Sequence, residues 1–177
     1  MAKDASKERA ALKVVAAPTV DAETRVHDDH HVSLRLWLRI LSCTNQIENR
    51  IRQNLQARFE TTLPRFDLMA QLERAPEGLK MSELSQRMMV TGGNVTGITD
   101  GLENEGLVVR EVDPADRRVF RVKLTPEGQR QFQRMATEHE QWVVDLFGGL
   151  SQKQKKQLVD LLGELKSHIA NAPGGGG

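Results

Sequence analysis

The sequence lacks a large excess of charge, a second cysteine and a long apolar run. Its 177 residues include 25 Lys and Arg against 24 Asp and Glu, so the formal net charge is +1. Attraction to a polyanion must therefore come from local clustering of charge. The single cysteine, Cys43, cannot form an intrachain disulfide, and no apolar stretch approaches the roughly 20 residues that span a bilayer. The start of the chain has no apolar core of the signal-peptide type. These absences predict a cytoplasmic protein without a membrane partner.

The sequence also lacks the motifs of common catalytic and metal sites. It has no Ser-His-Asp elbow and no nucleotide-binding loop, and its five histidines are scattered. The run HDDHH at 27–31 contains candidate ligands, but its spacing does not match a standard structural zinc site. We therefore expect no enzyme activity, no catalytic residue, no metal site and no cofactor. We interpret Cys43 as a small buried apolar side chain.

Apolar periodicity predicts helices at both ends of the chain and shorter elements between them. Over 34–59 the apolar residues recur every three or four positions and form two stripes, as expected of a helix that is covered from two sides. Short helices are predicted after Pro64 and from Gly92 to Glu105. Two amphipathic helices follow residue 125, and a capping box at Ser151 starts the second.

Two stretches with alternating apolar and polar residues flank the hexapeptide DPADRR at 113–118. This two-residue period predicts a β-hairpin with the arginines at its tip. Four basic residues lie in 116–123 against one acid. An arginine at the tip suits the narrow minor groove of duplex DNA, because the planar guanidinium always keeps its charge. Taken alone, DPADRR is at least as consistent with a solvated turn whose arginines pair with neighbouring acids.

The order of these elements predicts a winged helix-turn-helix. We expect a mainly α fold with a small β-hairpin wing and a helical dimerisation region from the N- and C-terminal helices. The helix before the wing would enter the major groove, with its first residues at base edges. The predicted DNA-binding residues are Thr91, Gly92, Gly93, Asn94, Thr96, Thr99, Arg117, Arg118 and Arg121.

The same elements predict how the chain is organised. We expect an N-terminal extension over 1–30 that is partly disordered and a flexible tail over 172–177. The dimerisation region would comprise 31–62 and 125–171, and the DNA-binding lobe 63–124.

Residues 83–128 resemble the MarR family of bacterial transcriptional regulators. The matching motifs are LENEGLVVR, the Asp-Arg-Arg of the wing and the exit VKLTPEG. The resemblance implies a homodimer that binds a palindromic operator on double-stranded DNA, usually as a repressor that a small molecule releases. In the family's Asp-x-Arg pattern the matching pair is Asp116 and Arg118, with Asp116 bracing an arginine. Whether Arg117 or Arg118 enters the groove stays open. The glycine-rich recognition helix departs from the family's commoner serine- and threonine-rich form.

The stretches RLWLRILSCTNQIE (35–48) and TTLPRFDLMAQLER (61–74) also resemble members of this family that control the catabolism of hydroxycinnamates and related aromatic acids. This resemblance implies an aromatic carboxylate or its CoA thioester as effector. We predict a pocket between the dimerisation helices and the DNA-binding lobe, with arginines for the anion and apolar or amphipathic side chains for the ring. The predicted ligand-binding residues are Arg35, Trp37, Arg39, Leu41, Arg65, Phe66, Met69, His139 and Trp142. For each apolar residue of this set, simple core packing is the alternative.

The sequence leaves three classes of protein to consider: a ligand-responsive DNA-binding regulator, an enzyme, and a winged-helix module for protein interaction without an effector. The motifs favour the first. Salt dependence separates it from the third, because binding to a duplex weakens steeply as salt rises.

Overall fold

A computed structural model of the chain describes residues 31–172. The predicted extension over 1–30, most of the HDDHH run and the tail beyond Ala172 lie outside this range. The chain divides into two compact units, 1–46 and 47–177. Across 31–172, no helix combines the length and the apolar character needed to cross a bilayer.

The described part of the first unit belongs to α1 (Val32–Phe59), which also continues into the second unit. The stripes predicted from the sequence are helical here, but their side chains face outward. Trp37 is 57% exposed, and Leu34 and Leu41 are also exposed. Cys43 is exposed as well, so the prediction of a buried cysteine is wrong for the single chain. Periodicity shows that a face is apolar, but it does not show which chain covers it.

The second unit contains the remaining elements, and its helices and sheet confirm the predicted mainly helical winged fold. These elements are α2 (Leu63–Glu73), β1 (Leu79–Lys80), α3 (Met81–Met88), α4 (Gly92–Asn104), β2 (Val108–Val112), β3 (Phe120–Leu124), α5 (Pro126–Leu146) and α6 (Gln152–Asn171).

Local chemistry fixes the ends of these helices. The Thr125 hydroxyl accepts a hydrogen bond from the main-chain N–H of Gly128 at 3.0 Å and so caps α5. At the start of α6, the Gln154 side chain accepts from the Ser151 N–H at 2.8 Å, as predicted for a capping box. Helix α4 ends just before Gly106, whose φ of 70° lies in the left-handed region that glycine tolerates best.

The sheet has three antiparallel strands in the order β1–β3–β2. Strands β2 and β3 pair from Val108 with Leu124 to Val112 with Phe120, and they form the predicted hairpin. The two-residue strand β1 adds Leu79 opposite Val122. The sequence did not predict β1, because two residues are too few to show a period.

One core holds the winged lobe together. It draws large, fully buried side chains from α1, α2, α3, α4, β3 and α5, including Leu55, Leu68, Leu84, Leu102 and Met135. In contrast, α6 has no buried residue. Its apolar face, with Leu158, Leu161, Leu162 and Ile169, is exposed.

Candidate nucleic-acid interface

The turn between α3 and α4 presents the start of α4 to solvent. Met89 ends α3 in the left-handed conformation, with φ of 53°, and the chain then reverses into α4 at Thr91. Five predicted DNA-binding residues are exposed at this end: Thr91, Gly92, Gly93, Asn94 and Thr96. The Thr96 hydroxyl donates to the Gly92 carbonyl at 3.0 Å, which leaves its oxygen lone pairs available as acceptors.

Thr99 does not belong to this surface. It is 0% exposed, and its hydroxyl donates to the Val95 carbonyl at 2.8 Å. It lies one turn after Val95 on the inner face of α4, with Leu102. The prediction that Thr99 contacts DNA is therefore wrong. The four-residue spacing from Val95 was the signal that could have shown this.

Arg117 and Arg118 lie in the exposed turn between β2 and β3. Among residues 31–172, neither guanidinium forms a hydrogen bond or an ion pair. Asp116 accepts the main-chain N–H of Arg118 at 3.0 Å. It thus braces the backbone of this arginine rather than its side chain.

A buried carboxylate that the sequence reading missed fastens the base of the wing. Asp113 is 1% exposed, and it accepts from the N–H groups of Ala115 at 2.8 Å and Asp116 at 3.2 Å. The Nε of Arg121 donates to it at 2.7 Å, and the Lys80 ammonium lies 3.6 Å away. The Ala115 hydrogen bond and then the Arg121 hydrogen bond are the main causes that lower the pKa of Asp113 to about 2.

Arg121 is a positioning residue of the wing. Besides Asp113, its guanidinium donates to the Gly78 carbonyl at 3.0 Å, so it links β3 to the residue before β1. Both contacts are inside the chain. We therefore do not retain Arg121 among the DNA contacts, although its charge and position in sequence predicted that role.

A second cation connects the wing to α4. The two terminal nitrogens of the Arg110 guanidinium pair with Asp100, at 2.5 Å, and with Glu103. The main-chain N–H of Arg110 also donates to Glu103 at 3.2 Å. These contacts fix strand β2 against the last two turns of α4, and they set the position of the wing relative to the exposed start of that helix.

The predicted effector residues of the second unit lie mostly in the core. Phe66, Met69 and Trp142 are at most 8% exposed. The ring of Phe66 stacks on Phe132 with centroids 5.6 Å apart and lies 4.9 Å from His139. Burial lowers the pKa of His139. For the three core residues, the structure thus matches the alternative of core packing.

The remaining predicted effector residues lie on two helices. In α2, the Arg65 guanidinium pairs with Glu105, the residue after α4. The others are exposed on the N-terminal part of α1: Arg35, Trp37, Arg39 and Leu41.

We predict that Asp113→Asn destabilises the fold at neutral pH and that this deficit shrinks in acid. The folded-state pKa of about 2 lies below the ordinary value of 3.8. The ionised carboxylate therefore contributes stability above about pH 4, and this contribution disappears as the pH falls towards about 2. Urea unfolding of both proteins across this range measures the difference in midpoint. Asp160→Asn, an exposed change on α6, is the control, with a midpoint near wild type throughout. A deficit that stays constant with pH would contradict the role of this charge.

Comparison with known proteins agrees with this geometry. Residues 61–120 match the MarR family. The HTH-type transcriptional regulator PecS from Dickeya dadantii is 28% identical over 145 residues, which cover 81% of this chain and 87% of that protein. A MarR family transcriptional regulator from Silicibacter pomeroyi has a crystal structure that is 31% identical, with a TM-score of 0.66, and the match covers 80% of this chain and 99% of that one. A third, from Streptomyces coelicolor in complex with DNA, has a similar fold, with 23% identity, a TM-score of 0.69 and coverage of 84% and 92%. The chain belongs to the MarR family of DNA-binding transcriptional regulators.

Proposed function

We propose that this chain is a repressor that binds a palindromic operator as a homodimer and leaves it when a small molecule binds. The observation that supports DNA binding best is the pair of arginines at the wing tip. Within 31–172 the guanidinium groups of Arg117 and Arg118 have no hydrogen-bond or ion-pair partner, whereas Arg121 is held by Asp113 and Lys123 by Glu111.

In the proposed complex, α4 enters the major groove with its N-terminal end first. The polar atoms of Thr91, Asn94 and Thr96 would then meet base edges. Gly92 and Gly93 add no side chain there, and a Cβ at either position would meet no atom within 4 Å. The helix backbone can therefore come close to a phosphate, which a helix N-terminus favours.

The wing reaches the adjacent minor groove in this arrangement. A two-stranded hairpin is narrow, and the negative potential of a narrow minor groove attracts arginine. Because Arg110 ties β2 to α4, the wing and the recognition helix would engage the duplex as one rigid part.

We predict that Arg117→Ala combined with Arg118→Ala weakens DNA binding by at least about tenfold, and that the slope of log K against log salt for the dimer becomes shallower by up to about 3.6, since each of the two copies loses two cations. The reason is the loss of these cations at the duplex surface. Fluorescence anisotropy with labelled duplexes from the DNA beside the chain's own gene measures both quantities. Arg130→Ala, which removes an exposed cation paired with Glu127 on α5, is the matched control. Wild-type binding that does not respond to salt would instead favour a protein-interaction module.

We propose that a second copy of the chain covers the apolar face of α6. Leu161 is 63% exposed, and Leu158, Leu162 and Ile169 are exposed on the same helix. A soluble monomer rarely leaves so many apolar side chains of one helix in water. Exposed apolar residues on the N-terminal part of α1 form a second such surface. A two-fold dimer would place its recognition helices about 34 Å apart, one turn of DNA.

Leu161→Asp with Leu162→Asp should convert the dimer to monomer, because two charges would be buried in an apolar interface. Light scattering after size-exclusion chromatography gives the mass, and circular dichroism checks that the helices remain. Lys156→Asp, on the opposite face of α6 by the helical period, should leave the dimer intact. A wild-type monomer at micromolar concentration would refute this interface.

We propose an aromatic carboxylate or its CoA thioester as the effector. The similarity of 35–48 and 61–74 to regulators of aromatic-acid catabolism supports this class. Release of a tightly held operator requires that the effector bind the released form more tightly by about 5 kcal/mol. Outside the three core residues Phe66, Met69 and Trp142, the predicted ligand-binding residues stay a prediction.

A thermal-shift screen of aromatic acids and their thioesters tests the effector class. The correct compound should raise the melting temperature, because it binds the folded form only, and it should release labelled operator in the anisotropy assay. If no compound stabilises a protein that binds DNA normally, this effector class is wrong.

A further inference from the structure

A groove of about 590 Å³ lies between the start of α2 and one side of α4. Thr62 and Arg65 line it from α2, and Gly93, Asn94, Gly97 and Gly101 line it from α4. Two of these residues, Gly93 and Asn94, also belong to the proposed DNA-contacting set. The groove is therefore continuous with the surface that would face DNA.

Arg65 is the one charged residue among those that line this groove. One terminal nitrogen of its guanidinium pairs with the Glu105 carboxylate, while its Nε has no hydrogen-bond partner. The Arg65 side chain is 22% exposed and Glu105 is half exposed, so water reaches this pair and screens part of its attraction. The guanidinium can thus exchange Glu105 for a stronger anion.

On the α4 side of the groove, two positions that lie one turn apart, Gly97 and Gly101, are glycines. A Cβ at Gly97 or at Gly101 would meet no atom within 4 Å, so the packing of this chain does not require glycine at either position. Each glycine weakens the helix relative to alanine. Their effect is to keep the groove open down to the main chain.

We propose that this groove receives the sugar-phosphate backbone of one operator strand, with Arg65 bound to a phosphate. The inference rests on the proposed entry of α4 into the major groove, because a strand backbone borders that groove on each side. A planar guanidinium can bind phosphate oxygens with two parallel hydrogen bonds. On this proposal Arg65 contacts DNA and not the effector, which replaces its predicted role in ligand binding.

Gly97→Ala tests whether a blocked groove, rather than a damaged fold, weakens DNA binding. The methyl group should raise the urea midpoint, because alanine favours the helix and meets no clash. We expect the same variant to bind operator at least about tenfold more weakly, because the methyl group occupies the space of the backbone. Gly163→Ala in α6, where a Cβ also meets no atom within 4 Å, should gain stability and bind as wild type.

Arg65→Ala tests the phosphate contact. Affinity should fall to a similar degree for operator and unrelated duplexes, and the salt slope of the dimer should become shallower by about 1.8, as for one phosphate in each half-site. Arg58→Ala, which breaks a comparable ion pair with Glu138, should leave both quantities unchanged. Glu105→Gln should keep or raise affinity. If Glu105→Gln reproduced the loss, Arg65 would act only through its ion pair.

The outcomes of these experiments separate the groove assignment from the proposed function. Wild-type affinity in Gly97→Ala or an unchanged salt slope in Arg65→Ala overturns the groove assignment. If both variants bind like wild type while the double wing variant loses affinity, only the groove assignment fails. If the wild-type protein itself shows no salt-dependent binding to any duplex, the proposed function fails first.

Discussion

The wing depends on the hydrogen bonds that converge on the carboxylate of Asp113. Two main-chain N–H groups and Arg121 donate to this buried group, with Lys80 nearby. These contacts join the start of the turn, strand β3 and the end of β1. They also divide the basic residues of the hairpin into two classes. Arg121 and Lys123 are paired with acids of the chain, whereas Arg117 and Arg118 extend from a turn whose backbone is already fixed. The positive field that the wing offers to a duplex therefore comes from its tip.

Helix α4 depends on tertiary contacts more than on its own helix propensity. Helix α4 contains four glycines, so its intrinsic helix propensity is poor. Val95, Thr99 and Leu102 anchor its inner face in the core. Its C-terminal end is further tied to the wing through Arg110, which pairs with Asp100 and Glu103. Tertiary contacts thus stabilise the later turns and leave the first turn without side chains that would fill its outer surface. A duplex can approach the main chain there, at the end where the helix dipole favours phosphate.

Periodicity and capping chemistry were sufficient to predict the helices and the hairpin, and the motifs within 83–128 indicated the family through resemblance. Predictions failed where the burial or bonding of a side chain depends on a residue that is distant in sequence or that belongs to another chain. Cys43 lies on an apolar stripe of α1 whose later residues, such as Leu55, are buried, but the part that contains Cys43 is exposed in one copy. The sequence did not single out Asp113, because its partner Arg121 connects it to Gly78, which lies 43 positions from Arg121. Thr99 was misplaced for another reason: its residue type suggested base contacts, while its spacing from Val95 already placed it inside.

The small net charge has a consequence for how such a regulator would achieve affinity. A chain with a net charge of +1 gains little from long-range attraction, so binding must rely on a few short-range cations in each copy. A symmetric dimer doubles these contacts, and once one half-site is occupied the second binds at a high effective concentration. On this view the exposed face of α6 is as necessary for DNA binding as the wing, although it never touches the duplex. An effector that changes the separation of the two lobes would then lose the contribution of one half-site, and it could release the operator without competing for a single DNA contact.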